Sequence, residues 1–303
     1  MIQRPSELLS REERAALSRR SDLHAWALVG GTWLLVFMLL GLAGHFPGIL
    51  TTLLVLILLP GRQLSLAVLM HEAGHRSLFE RASTNRWVGQ WLCALPTFAD
   101  LDSYARGHLE HHRHAGTETD PDLPNYRVYP ISRASFRRKI LRDLTGQTGI
   151  KLLAAVIAGG AGIVGRGQRK SSGLLLKQLA AQAALFAVLT LMGIGWTYWL
   201  WLATFLTTFM LVIRLRQIAE HAAVPDLFDL DPRRNTRTVV APWWQHFLLA
   251  PSFVNYHMEH HYMAGVPCYR LKDLRALLKA RGCLDDVAEF TSYAQVFRAA
   301  VSS

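Results

Sequence analysis

Eight of the chain's 13 histidines fall in three clusters: His71-Glu-Ala-Gly-His75, His108-Leu-Glu-His111-His112 and His257-Met-Glu-His260-His261. On a helix, residues three and four apart share a face, so each cluster can turn several imidazoles toward one place. Two three-histidine spacings plus a His-x-x-x-His pair are not accidental, and they describe a metal site. Imidazole suits zinc, iron, copper and nickel alike, which leaves the metal open. A catalytic zinc ion takes three protein ligands, so a set this large suits two ions. A ligating histidine usually donates its second ring N–H to a carboxylate or carbonyl. Glu72, Glu110, Asp120, Glu220 and Glu259 are the acids placed for that role. His24, His45, His114 and His246 lie outside the pattern and read as surface or headgroup-facing residues.

The elements that must hold these clusters are apolar. Of 303 residues, 51% are hydrophobic and 18% charged, well below the roughly 25% charged of soluble chains. Leu23–Gly44, Phe46–Met70, Leu174–Ile194 and Trp196–Ile213 each reach or approach the ~20 residues of a membrane-spanning helix. Strand-like alternation is scarce. The expected fold is all-α and polytopic: four transmembrane helices arranged as two hairpins, with a cytosolic helical cap around the metal. The turns Gly44–Gly48 and Gly193–Gly195 carry no Lys or Arg, whereas the leader holds Arg4, Arg11, Arg14, Arg19 and Arg20. Cytoplasmic segments carry the basic excess, so both turns are expected outside and both chain ends inside. The net charge of +11 then reflects topology and anionic headgroups rather than nucleic acid.

One domain is expected over 1–303. It divides into a leader (1–22), a first hairpin (23–70), a segment with the first two clusters (71–173), a second hairpin (174–213) and a segment with the third cluster (214–303). Phe46–Met70 is about 37 Å long at 1.5 Å per residue, more than the ~30 Å hydrocarbon core, so His71 and His75 emerge from it. Trp196–Ile213, about 27 Å long, brings Gln217, Glu220 and His221 out at the same level if the helix continues. His221 becomes a ninth ligand candidate, and Gln217 a support one turn earlier. Arg62, inside the second apolar run, is expected to snorkel to the interface. Ile150–Val164 reads as re-entrant or interfacial, since a full crossing would part the third cluster from the first two. Cys93, Cys268 and Cys283 form neither a thiolate motif nor a disulfide framework.

Taken together, the three clusters, Arg216-Gln-Ile-Ala-Glu-His221, Asn255-Tyr-His257 and Val266-Pro-Cys-Tyr269 resemble the membrane fatty acid desaturases, the acyl-lipid type in particular, over about Leu53–Leu278. The resemblance implies a non-haem centre of two iron ions on His71, His75, His108, His111, His112, His221, His257, His260 and His261, with Asn255 added to the supporting residues. It implies O2 as co-substrate, a lipid-linked or thioester acyl substrate, and electrons from ferredoxin or cytochrome b5 with its reductase. The chain has no His-Pro-Gly-Gly haem signature, so the donor is expected to be a separate protein. A bacterial inner-membrane enzyme with its site on the cytoplasmic face is the resulting expectation. The third cluster opens with His257, not the Gln of front-end desaturases.

Three rivals stand beside this reading. One is a non-enzymatic histidine-rich metal carrier, but transport sites usually lie near the bilayer midplane, while these histidines group at or outside one face. A lipid or carotenoid hydroxylase or ketolase would use the same ligands. His71-Glu72-Ala-Gly-His75 also matches the His-Glu-x-x-His of zinc metalloproteases, whose Glu is the general base, but that reading leaves the other two clusters idle.

Overall fold

The computed structural model describes residues 5–160 and 172–302. Ser10 caps helix α1 (Arg11–Leu17), and the Ser10–Glu13 capping box is formed. Helix α2 (Asp22–His45) follows, then α3 (Ile49–Gly74), joined to it by Phe46–Gly48. Helix α4 (Ala82–Val88) runs into a π-helical turn over Gly89–Ala94. The second histidine cluster ends α5 (Leu101–His114), which Asp100 caps at its start. Helices α6 (Arg133–Leu144), α7 (Gln147–Gly160) and α8 (Ser172–Leu191) come next.

The last apolar stretch is two helices, α9 (Tyr198–Leu206) and α10 (Thr208–His221), broken at Thr207. This differs from the single helix expected over Trp196–Ile213. Gly149 of α7 packs against the break so closely that a Cβ there would lie 2.3 Å from the Leu206 carbonyl oxygen. Helices α11 (Trp243–Leu249), α12 (His257–Tyr262), α13 (Leu271–Ala280) and α14 (Tyr293–Ala300) complete the chain. Among the described residues the one sheet pairs Ile131–Ser132 with Val301–Ser302 in parallel.

Four helical stretches are long and apolar enough to cross a membrane: Arg11–His45, Ile49–Gly74, Gly173–Leu191 and Gly195–His221. They share a core in which Val36, Leu40, Leu59, Leu189 and Trp201 are buried, and the Gln63 amide donates to the Trp201 carbonyl at 3.0 Å. Apolar positions on these helices, such as Leu34, Met38, Leu50 and Ile57, are exposed. Helix α7, about 21 Å long, is shorter than the hydrocarbon core; residues 161–164 of the segment read as interfacial lie outside the described residues.

Beyond Leu59 the surroundings of α3 change. From Pro60 to Leu66 every residue is buried, and α11 folds across the helix at Gly61. A Cβ at Gly61 would lie 2.6 Å from the Phe247 carbonyl oxygen. Arg62 therefore does not snorkel. It is buried, donates to the Phe247 carbonyl, and lies 3.8 Å from the centre of the Phe247 ring.

Candidate metal centre

The C-terminal ends of α3 and α10 bring their histidines together with those of α5 and α12. That arrangement gathers nine imidazoles into two groups. His71, His75, His108, His112 and His260 form one, and His111, His221, His257 and His261 form the other, with the ring nitrogens in each group within 4.8 Å of one another. His108 and His112, four apart, serve the first group, while His111 serves the second. In the third cluster the roles invert: His257 and His261 join the second group and His260 the first. Each cluster does turn several rings toward one place, and the histidine left over in the second and third clusters turns to the other group, because neighbouring residues on a helix point about 100° apart.

The spacing of the nitrogens fits ligation. Nε2 atoms face each other at 2.9 Å for His108 and His112, 3.0 Å for His112 and His260, 2.8 Å for His221 and His257, and 3.3 Å for His111 and His261. Two ligands bound at about 2.1 Å to one ion would sit roughly 3.0 Å apart at right angles and 3.4 Å apart in a tetrahedron. Nε2 of His71 and of His75 is buried with no hydrogen-bond partner, a costly state for a nitrogen that nothing else satisfies.

Several rings have their orientation fixed by a group that can only accept. His71 Nδ1 meets Glu72 at 3.1 Å, His111 Nδ1 meets Asp120 at 2.8 Å, and His221 Nδ1 meets the Asn235 carbonyl at 3.3 Å. Carboxylates and carbonyls accept, so Nδ1 carries the proton and Nε2 keeps its lone pair. His257 Nδ1 lies 3.5 Å from Glu220, which also takes Arg216 Nε at 2.6 Å. Burial disfavours imidazolium. It holds His75 at about 4 and His112 at about 3, and it pushes His108, His257, His260 and His261 well below the ordinary range, with the neighbouring rings adding to the effect. Burial thus favours the neutral, ligating form of these six rings. Asp120 stays ionised: burial raises its pKa, but bonds from His111 and Tyr126 outweigh this and leave it lowered.

The description "Fatty acid desaturase" belongs to the family model that matches residues 47–293, most of the chain and all nine histidines. The chain belongs to the fatty acid desaturase family. It is also 25% identical over 235 residues to dihydrorhizobitoxine desaturase of Bradyrhizobium elkanii, a stretch covering 72% of this chain and 65% of that protein.

Of the acids expected to support the rings, Glu72, Asp120 and Glu220 face imidazoles. Glu110 does not; it is exposed and pairs with Arg113 and His114, because it lies on the outer face of α5. Glu259 is fully buried but touches no ring. It binds Thr238 and Arg275, the latter at 2.7 Å, and so ties α12 to α13. Asn255 likewise makes no hydrogen bond to an imidazole among the described residues: its side-chain amide donates to the Val239 carbonyl at 3.1 Å, and its main-chain carbonyl accepts from Val239 N–H. Gln217 is half-buried, with no hydrogen bond to an imidazole among the described residues. Glu72 is engaged by Ser77 Oγ at 3.0 Å and Cys268 N–H at 2.9 Å as well as by His71, which ties the first cluster to the segment after the third. His24, His45, His114 and His246 stand outside both groups; His24 stacks on Tyr269 and His246 bonds to the Val239–Ala241 backbone.

Sequence reasoning missed two aromatic partners. Tyr104 stacks on His108 at 5.4 Å, and Tyr126 stacks on His221 at 4.8 Å while donating to Asp120. Tyr104 was findable, lying four residues before His108 on the same helix face. Tyr126 had no local signal, since it lies on the short helix Leu123–Tyr126, outside every histidine cluster.

Proposed function

We propose that this protein is an O2-dependent desaturase of a fatty acyl chain, with two iron ions held by the five- and four-histidine groups. The observation that carries the reading is the division of nine imidazoles, six of them buried and three half-buried, into two adjoining groups. The family supports iron in particular. Bound iron with O2 supplies oxidising power sufficient to take hydrogen from an unactivated methylene, which side chains cannot do alone. The reaction removes two hydrogens from adjacent carbons, and O2 goes to water with two further electrons from a carrier.

The protein's own contribution is arrangement. His71, His111 and His221 are locked in one tautomer by Glu72, Asp120 and the Asn235 carbonyl. Burial excludes water, and the scaffold sets one carbon–carbon bond against the centre. The four apolar helices support a multi-pass membrane enzyme, with the basic segments and the site on the cytoplasmic side of a bacterial inner membrane. A cleft of about 680 Å³ beside His75 is rimmed by Arg76, Arg86 and Arg106; this favours an acidic electron carrier such as ferredoxin or cytochrome b5 on that face.

The test is gas chromatography–mass spectrometry of lipids from cells expressing the chain, beside a His260→Ala/His261→Ala control. New unsaturated acyl chains that need the intact cluster are expected. Hydroxylated or keto products would replace desaturation with the sister chemistry, and unchanged lipids despite a reduced carrier and a loaded protein would overturn the reading.

A further inference from the structure

Arg62 has no part in the chemistry above, yet it is an expensive residue. It sits inside the apolar helix α3, just after Pro60 and Gly61, and only 6% of it is exposed. A guanidinium does not shed its proton, and ionisable groups within a membrane span mark sites where a partner or ligand is needed. The partners in place do not meet that need. The Phe247 carbonyl takes Nη2, the Phe247 ring covers one face, and Nε is buried with no acceptor. No carboxylate comes within ion-pairing distance of Arg62 among the described residues.

The same side chain lines an open cleft of about 640 Å³ between α2, α3 and α11. Its walls are largely apolar, with Leu28, Leu34, Phe247 and Phe253 among them, and no acid lines it. Lys272, exposed on α13, supplies the second positive charge. Beside Arg62 a short hydroxyl ladder runs from Thr32 to Ser65 at 2.8 Å and on to Ser252 at 2.7 Å. The wall at Ser252 and Phe253 is backbone in the left-handed region, at φ 54° and 64°, which two consecutive non-glycine residues keep only where the surroundings impose it. Four residues on is His257. The cleft therefore joins a buried, uncompensated cation to an apolar groove, and its strained wall leads into the metal centre.

We propose that this cleft binds the anionic end of an acyl amphiphile, a carboxylate or a lipid phosphate, with Arg62 as the charge partner and Lys272 at the mouth. The proposal rests on the acyl-desaturase reading and narrows its substrate class to chains bearing an anionic head. Arg62 lies nine residues before His71, about 13.5 Å along the helix axis. A chain anchored there is measured from its head.

Binding is tested without turnover, so a failure of the desaturase chemistry would not be mistaken for a failure of this site. Purified full-length protein in neutral detergent is assayed for tritiated palmitate by scintillation proximity, with palmitate, phosphatidylglycerol and hexadecanol as competitors. Saturable binding is expected, weakened about tenfold or more in Arg62→Gln, as loss of a charge-assisted bond dictates, and kept in Arg62→Lys. Lys272→Glu, at an exposed position that leaves the fold intact, should weaken it about threefold by reversing one charge near the surface. Competition by palmitate alone identifies a carboxylate ligand, and stronger competition by phosphatidylglycerol a phosphate. Equal competition by hexadecanol, unaltered affinity in Lys272→Glu, or no saturable binding of either anion would overturn the proposal.

Discussion

Asp120→Asn separates the two histidine groups. The Asp120 carboxylate accepts from His111 Nδ1 at 2.8 Å, with both side chains all but buried, and Tyr126 donates to its other oxygen. Asn keeps the shape and one acceptor but removes the charge. A hydrogen bond to a charged group is worth about 1.5–3 kcal/mol, and losing a ligand's supporting partner typically costs about 10–100-fold in metal affinity, or about 1.4–2.8 kcal/mol. The two ranges agree. His111 serves the group with His221, His257 and His261, and Asp120 makes no hydrogen bond to the five histidines of the other group. Chelator titration of the iron-loaded protein, followed by inductively coupled plasma mass spectrometry, should therefore resolve two steps. One moves by about tenfold to a hundredfold in Asp120→Asn, and the other stays where it was. A single step, a joint shift of both steps or no shift would refute the division into two independently supported ions.

Other outcomes follow from the same contacts. Burial depresses the His75 and His112 pKa values to about 4 and 3, so in metal-free protein the unfolded chain takes up these protons first. Stability should be full above about pH 6.5 and fall as pH drops toward those values; a thermal midpoint flat from neutrality to about pH 4 would contradict this. Arg275→Ala strands the fully buried Glu259 and should cost about 3–5 kcal/mol, read as a lower unfolding midpoint that Arg275→Lys partly restores. Gly61→Ala puts a Cβ 2.6 Å from the Phe247 carbonyl oxygen. Overpacking of about 1–3 kcal/mol should lower the midpoint, and an unchanged one would deny the close crossing of α3 and α11. His114→Ala should leave bound iron untouched while His111→Ala loses one ion, as metal analysis of the two variants can check.

The residues of the centre were legible because histidine is scarce and its spacing is periodic, and the four spans because apolar length is a one-dimensional property. What each acid does was not legible. Glu72 and Glu110 both lie inside a histidine cluster, yet one is buried against His71 and Cys268 N–H and the other is exposed beside Arg113. The difference comes from the segment after the third cluster, which packs over Glu72 and not over Glu110. Arg62 escaped for the same reason: hydropathy places it in a span but says nothing of α11 folding across Gly61. The adjacent histidines carry more than their number suggested. Successive helical residues diverge by about 100°, so His111 and His112, or His260 and His261, cannot both turn to one ion without unwinding the helix. A single-ion site has use for the i, i+4 pair alone. The extra histidine at i+3 has a purpose only when a second site lies alongside, and the inverted sharing between α5 and α12 is what lets two short helices serve both.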